Sequence, residues 1–410
     1  MISFRDGTTA PAAASTGACD AAQEARFELD CASRNPLKVA FLMPHLDAGG
    51  AERVVLKLLQ HLDRSRFAPV LILQARRGAF LEGVPADVPI HDLSGRAVHR
   101  SLPALAGVIR QTGVEVLYTA TNAMNLAVLA ASLVIRPRVA VVISEHAPLS
   151  NYLGQAKWRL FRLALMRLLY RFAAAMAVPT SRVAEDARSL LGQVPATVLS
   201  NPLVDVSLYQ DLPRPPPEIR DVSGPLFVAA GRLVAVKAFD LLIESFARLR
   251  KRHPDAHLVL IGEGPERPRL EAMVSSLGEH EHVRLIGFRP RLDGYLRHAT
   301  AFVLTSHWEG FGNVLVEAMA VGAPVISVDC PVGPRDILED GEAGLLVRQR
   351  NPEAIASAMA TMVEDRKRRA QLQARGHARA RAFDVAIAVP AFEALFERVA
   401  PRRLRSAIAS

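Results

Sequence analysis

Cysteine is scarce in this chain, and the three present (Cys19, Cys31 and Cys330) show neither metal-ligand spacing nor a disulfide framework. A zinc module and a stapled secreted fold are thereby excluded, and a reducing cytosol is expected. Long apolar runs are missing too. The longest, Leu126 to Ile135, falls far short of the roughly 20 residues that span a bilayer. The amino terminus lacks the charged-then-apolar order of a secretory signal, so a soluble protein, or one peripheral on a membrane face, is expected. No RNP, zinc-finger or helix-turn-helix pattern accompanies the formal charge of +9. That surplus therefore speaks for anionic partners in general, phosphorylated substrates and anionic lipid among them, and not for nucleic acid. No metal site announces itself.

What is present is an α/β rhythm. At 410 residues and 50% hydrophobic content the chain has room for two domains of roughly 150–200 residues each. Residues 1–36, rich in Ala, Thr, Ser and Gly without periodicity, predict a disordered lead-in. Folded sequence begins at Leu37 with the buried-strand run Lys38 to Met43, a loop carrying Gly49 and Gly50, and a helix from Ala51 through Leu62. This order opens a nucleotide fold but lacks the three-glycine spacing of dinucleotide binders, which argues against hydride transfer. Strands are predicted at Pro69 to Gln74, Val114 to Tyr118, Val139 to Ile143 and Ala173 to Val178, with helices between. Ligands of such sheets sit beyond the carboxyl ends of strands, which draws attention to Thr121-Asn122, to the Ser144-Glu145-His146 run and to Thr180-Ser181. A proline-rich stretch, 203–224, predicts the linker between a first domain, 37–202, and a second, 225–382.

The second domain carries the densest signals. In AFVLTSHWEGFGNVLVEAMAVGAPVISVDC, residues 301–330, an apolar strand run leads into Glu309-Gly310-Phe311-Gly312-Asn313 and then a helix from Asn313 to Val321, stopped by Gly322. Two glycines allow backbone to come close to a ligand, and the free amides of a helix start, Phe311 to Val314, offer an anion site suited to a diphosphate. Glu317 lies about 6 Å further along that helix at ~1.5 Å per residue, and its acceptor-only carboxylate suits a vicinal diol such as ribose. Alone, both acids would read as solvated; the glycines and the strand in front reverse that. Earlier in the domain, Leu226 to Ala230 leads into Gly231-Arg232-Leu233 and Lys237. A guanidinium fork and an ammonium point charge are two shapes of cation that hold phosphate oxygens.

The run EGFGNVLVEAMA resembles the E-x7-E signature of nucleotide-sugar-dependent, retaining glycosyltransferases of the GT-B fold, family 4 in particular. GGAER at 49–53, GRL with Lys237, the Gly262-Glu263-Gly264-Pro265 turn, Gly287-Phe288-Arg289 and the Asp329 to Arg335 turn resemble family segments as well. The resemblance implies two Rossmann-like domains facing a cleft, with a carboxyl-terminal helix, 383–410, packed back on the first domain. It implies that Arg232, Lys237 and the helix start, with Gly310, Phe311, Gly312, Asn313 and Val314, bind the donor diphosphate. Glu317 would hold ribose, and Phe288 and Arg289 would lie at the base. Glu309 and His146 would act at the donor sugar, with Gly49 and Gly50 as a cleft loop. No metal cofactor is expected. Phosphate-assisted front-face attack is expected in place of a covalent intermediate. A UDP-sugar donor, an N-acetylhexosamine by preference, is expected, with GDP-mannose as competitor, and a glycan or polyprenyl-diphosphate-linked acceptor of cell-surface polysaccharide synthesis. Two alternatives stay open: a GT-B phosphorylase, active with phosphate alone, and a non-catalytic sugar-nucleotide-binding partner.

One further helix stands out. In Lys157 to Phe172, Trp158, Phe161, Leu165, Leu168, Leu169 and Phe172 fall within about 100° of arc, flanked by Lys157, Arg159, Arg162, Arg167 and Arg171. Such a stripe either enters an anionic membrane interface, with the basic stems snorkelling, or packs on the sheet.

Overall fold

The computed structural model describes residues 35–401 apart from 48, 96–97, 134–135, 207–213 and 331. The expected lead-in falls almost wholly outside the described residues, and the centre of the expected linker falls outside them as well. Two wholly parallel sheets carry the architecture. The first runs β3-β2-β1-β4-β5-β6-β7, with β1 Leu37–Met43, β2 Phe67–Leu73, β3 Ile90–Asp92, β4 Val116–Thr119, β5 Ala140–Ser144, β6 Ala175–Val178 and β7 Ala196–Val198. The second runs β10-β9-β8-β11-β12-β13, with β8 Leu226–Ala230, β9 His257–Ile261, β10 Val283–Leu285, β11 Ala301–Leu304, β12 Val325–Val328 and β13 Leu345–Val347. Their central strands are near-continuous apolar runs because helices cover both faces.

In each sheet the strand order reverses once, between β1 and β4 and between β8 and β11. A crevice opens outside the carboxyl ends at such a reversal, because the flanking connections leave on opposite faces. The loops after β8 and β11 carry Gly231, Arg232 and Lys237 and Glu309, Gly310 and Gly312, so the topology brings together what the chain keeps far apart.

The three-residue strands β3 and β7 and the buried β12 were not legible from pattern. β3 and β7 end the first sheet and bury little, and β12 lies inside a continuous apolar stretch without alternation.

The last helix, Val385–Val399, crosses back onto the first sheet. Phe392 and Phe396 meet Tyr118 at 6.2 and 6.1 Å between ring centroids, and Phe396 meets Phe41 edge-on at 5.9 Å. Buried Glu393 accepts the Asp63 amide at 2.8 Å and pairs with Arg66 at 3.0 Å. The chain thus passes between the sheets twice, and both crossings meet at one point. Val204 bridges Asp384 in parallel, and the Val206 amide donates to the Asp384 carboxylate at 3.0 Å.

The stripe at 157–172 divides. The helix proper is Arg159–Leu169, with Trp158 in a left-handed turn before it. Leu169 is buried and Leu165 half-buried against the first domain. Trp158 is 81% exposed and Phe161 67%, and Leu160, Leu168 and Phe172 join them. Lys157, Arg159, Arg167 and Arg171 are exposed around this second edge. One periodicity served both packing and a bare apolar edge, which spacing alone could not separate. No helix among the described residues is long and apolar enough to cross a membrane.

Candidate active site

Loops after β8 and β11 are tied together first by backbone. The Thr305 hydroxyl donates to the carbonyl of Ala238 at 3.0 Å, and the His307 amide to that of Val236 at 2.8 Å. This lays Lys237 over Glu309, with Nζ 2.6 Å from the carboxylate. The Ser306 hydroxyl donates to the same oxygen at 2.5 Å. Glu309 is nearly buried, Lys237 half-buried and Arg232 exposed. The stem of Lys237 crosses Gly231 in ordinary van der Waals contact, 3.6 Å from where a Cβ would stand. Gly262 and Gly264 have left-handed backbone, and a Cβ on either would strike the carbonyls of Gly231 or Leu233 at 1.9 and 2.3 Å. That turn braces the cation loop.

Glycines also govern the 309–313 loop. A Cβ on Gly310 would lie 2.4 Å from the His146 carbonyl oxygen, so this loop is wedged against the end of β5 in the other domain. Gly312, at φ 99°, starts the Asn313–Ala320 helix, whose first turn carries no acid. The Phe311 ring turns away into the core, edge-on to Phe383 at 5.5 Å, leaving only its backbone to meet a ligand. Val314 packs on the core. Asn313 looks across the cleft: its amide donates to the Gly50 carbonyl at 3.2 Å, and its oxygen accepts from Asn201 at 3.4 Å. Gly50 leaves room for that amide, while Gly49 leaves room for Glu52.

Two residues with no role assigned from sequence appear here. Arg53, from the helix after the glycine pair, forms an ion pair with Glu317 across the cleft. Nothing local in the sequence signals it, since 264 positions separate the two. Glu52 stands below that helix start. Burial lifts its carboxyl above the usual range, opposed by its own backbone, by His45 and by Arg232. Phe288 is exposed, whereas Arg289 is engaged by Glu218 at 2.6 Å and by the Tyr295 hydroxyl at 3.3 Å.

At the end of β5, Ser144-Glu145-His146 forms a polar knot. The Glu145 carboxylate accepts from Asn125 at 2.8 Å, from Asn122 at 3.2 Å and from the Tyr170 hydroxyl. Burial pushes it up to about 7. The next side chain goes the other way: burial holds the His146 imidazole down to about 4, so it is neutral at pH 7. Its Nε2 meets the Ser144 hydroxyl at 3.2 Å, and its Nδ1 is buried without a partner. A neutral imidazole offers a hydrogen bond, not a charge, to anything in the cleft.

These neighbours couple to stability with opposite signs. Glu145, raised from 4.5 to about 7, contributes stability that is present below pH 4.5 and lost as pH rises toward 7. His146, lowered from 6.5 to about 4, contributes stability that is present above pH 6.5 and lost as pH falls toward 4. In the shared window they cancel. Glu145→Gln should therefore melt higher as pH rises from 5 to 7, and His146→Asn lower, each by up to ~2–3 kcal/mol. Parallel melting curves for both variants and wild type across that range would contradict the assignment.

Among the described residues no cluster of three His, Cys, Asp or Glu side chains is placed to hold a metal ion. Cys330 is buried, its thiol donating to the Ser306 carbonyl at 3.0 Å, and burial pushes it up to about 12, so it is structural.

Residues 48–206 match the family described as Glycosyltransferase Family 4, and residues 216–379 match Glycosyl transferases group 1. The chain belongs to the family 4 glycosyltransferases. Across 366 residues this glycosyltransferase is 29% identical to N-acetylgalactosamine-N,N'-diacetylbacillosaminyl-diphospho-undecaprenol 4-alpha-N-acetylgalactosaminyltransferase of Campylobacter jejuni, covering 85% of this chain and 96% of that one. It is 37% identical over 153 residues to the lipopolysaccharide core biosynthesis glycosyltransferase LpsE of Rhizobium meliloti. That match takes in 37% of this chain but spans less than half of LpsE, 44% of its length. Among solved structures, Anabaena HepE in complex with UDP-glucose superposes with a TM-score of 0.74 at 21% identity, covering 90% of this chain and 100% of that one. At that identity the likeness establishes the GT-B fold alone.

Proposed function

We propose that this glycosyltransferase moves a sugar from a nucleotide diphosphate donor to a glycan or lipid-linked acceptor, with the anomeric configuration retained. The observation that carries the proposal is the meeting of Arg232, Lys237, Glu309 and the start of the Asn313–Ala320 helix beside the His146 loop. In this reading the diphosphate lies on Arg232, Lys237 and the amides of the helix start, where fixed positive groups stabilise charge on the leaving group. Ribose takes the Glu317 carboxylate in competition with Arg53, and the base stacks near Phe288. Glu309 orients the donor sugar, with His146 supplying a neutral hydrogen bond from the other domain. The departing phosphate takes the acceptor's proton on the same face that the acceptor attacks, so the ring carbon exchanges one oxygen for another without a covalent enzyme ester. No protein-bound metal is needed in this scheme.

A UDP-linked N-acetylhexosamine is the preferred donor. Support comes from the Campylobacter relative, named for N-acetylgalactosaminyl transfer, and from the uridine nucleotide in the HepE complexes. Screening UDP- and GDP-sugars for thermal stabilisation, followed by assay of slow donor hydrolysis and of the product anomer, tests the proposal. A UDP-N-acetylhexosamine should raise the melting temperature most and release the retained anomer. A melting temperature indifferent to every nucleotide would sink it.

The exposed edge of Trp158, Leu160, Phe161, Leu168 and Phe172, ringed by Lys157, Arg159, Arg167 and Arg171, supports peripheral binding to anionic membrane on the cytoplasmic face. The protein should float with anionic liposomes and stay soluble with neutral ones. A Phe161→Ser/Leu168→Ser variant should lose flotation, and wild-type protein left in the soluble fraction would refute the docking.

A further inference from the structure

A cavity of about 500 Å³ lies between the domains, lined by Ala147, Asn151, Tyr152, Lys157, Arg162 and Trp308 among others. Its position follows from chain neighbours. Ala147 follows His146, and Trp308 precedes Glu309. Ala147 and the 309–313 loop touch where a Cβ on Gly310 would stand 3.4 Å from the Ala147 Cβ. The cavity therefore abuts the place where the donor sugar would react, while the phosphate-holding cations stand at the end of β8.

Its lining has the chemistry of carbohydrate recognition. A half-buried indole offers a flat apolar face for the C–H side of a pyranose and an N–H at its edge. The Asn151 amide nitrogen is buried without a partner, and an amide presents a donor and an acceptor to paired hydroxyls. Tyr152 is spoken for: its hydroxyl accepts from Arg162, whose guanidinium lies 5.4 Å from the ring centre. Arg162 is thus held in place at one wall, with Lys157 exposed beside it. Two cations and no carboxylate among the lining residues select for negative charge next to the ring.

We propose that this cavity is the acceptor subsite and takes a sugar ring bearing an adjacent phosphate or carboxylate. The ring stacks on Trp308, hydroxyls meet Asn151, and the anion meets Arg162 and Lys157. The inference rests on the glycosyl-transfer reading above, and adds to it where the acceptor lies and what charge it carries.

The chain holds only two tryptophans, so Trp158→Phe leaves Trp308 as the sole indole reporter. In that protein, N-acetylgalactosamine 1-phosphate, methyl glucuronide and neutral methyl N-acetylgalactosaminide are titrated while Trp308 emission is followed. The expected result is saturable change, with at least one anionic sugar half-saturating about fivefold or more below the neutral one; which anion binds tighter identifies phosphate or carboxylate. Asn151→Ala should raise the half-saturation about tenfold, and Lys157→Ala, at an exposed position, should reduce the preference for the anion about threefold while Arg162 keeps the remainder. Emission unmoved by all three sugars, with UDP still raising the melting temperature, overturns the subsite and leaves the transferase reading standing. If UDP also fails to stabilise the protein, both fall. Equal affinity for charged and neutral sugars overturns the charge assignment.

Discussion

Lys237→Ala should lower turnover by about 10²–10³-fold and weaken UDP binding, because it removes a fixed positive charge from the site of the leaving diphosphate. The geometry adds a second cost. Lys237 lies 2.6 Å from Glu309, and removing it leaves a nearly buried carboxylate with, among the described residues, the Ser306 hydroxyl as its remaining side-chain partner. Breaking one side of such a pair typically costs ~3–5 kcal/mol. Lys237→Ala/Glu309→Ala separates the two effects: the double variant should recover stability relative to Lys237→Ala and recover no turnover. Glu309→Ala alone should lower turnover at least as far, with UDP affinity within a fewfold of wild type, since this acid is assigned to the sugar. Calorimetric UDP titration beside single-turnover kinetics reads each quantity. Arg232→Ala should follow Lys237→Ala in direction without the stability loss, because Arg232 is exposed. Near-wild-type turnover in both cation variants would remove the phosphate assignment.

Gly310→Ala should be nearly as damaging to turnover for a different reason. Its added methyl would stand 2.4 Å from the His146 carbonyl oxygen, so either the 309–313 loop or the 145–147 loop must retreat. A displacement near 1 Å between reacting groups costs about 10²-fold in rate. The loop is a connection, so the melting temperature should fall only a few degrees while turnover drops by about two orders of magnitude. Gly224→Ala is the informative contrast. There the Cβ would meet the Asp255 carbonyl oxygen at 2.0 Å, ahead of β8 at the end of the second sheet away from the site, and the loss should appear mainly as stability. Equal activity losses in the two variants at equal melting temperatures would argue against the wedge.

The parts of the site legible in the sequence are those written in short stretches. β8 followed by Gly231-Arg232, and β11 followed by Glu309-Gly310-Phe311-Gly312, each couple an apolar strand run to a loop whose residue types carry their chemistry locally. The reversal of strand order then brings the two loops together, which the α/β alternation implies. What was hidden depends on pairs distant in sequence. Arg53 on Glu317, Asn313 on Gly50 and the wedge of Gly310 against His146 join different domains, and no periodicity encodes them. Arg289 adds another such pair: its neighbours point to a nucleotide site, and Glu218 from the connecting stretch engages it there. The 157–172 stretch shows a second limit, because a stripe of apolar residues tells how wide a face is and not which part of it the fold will cover.

The point where the chain passes twice between the sheets fixes how the lobes are able to move. Because Val204 bridges Asp384, and the same carboxylate accepts the Val206 amide, the two crossings act as two knuckles on one pin. Such a joint would favour a swing of the lobes, like the covers of a book, over a twist about their long axis. Substrate entry and product exit would then share a single arc, with its pivot beside the donor loop, since Phe383 next to Asp384 packs on Phe311.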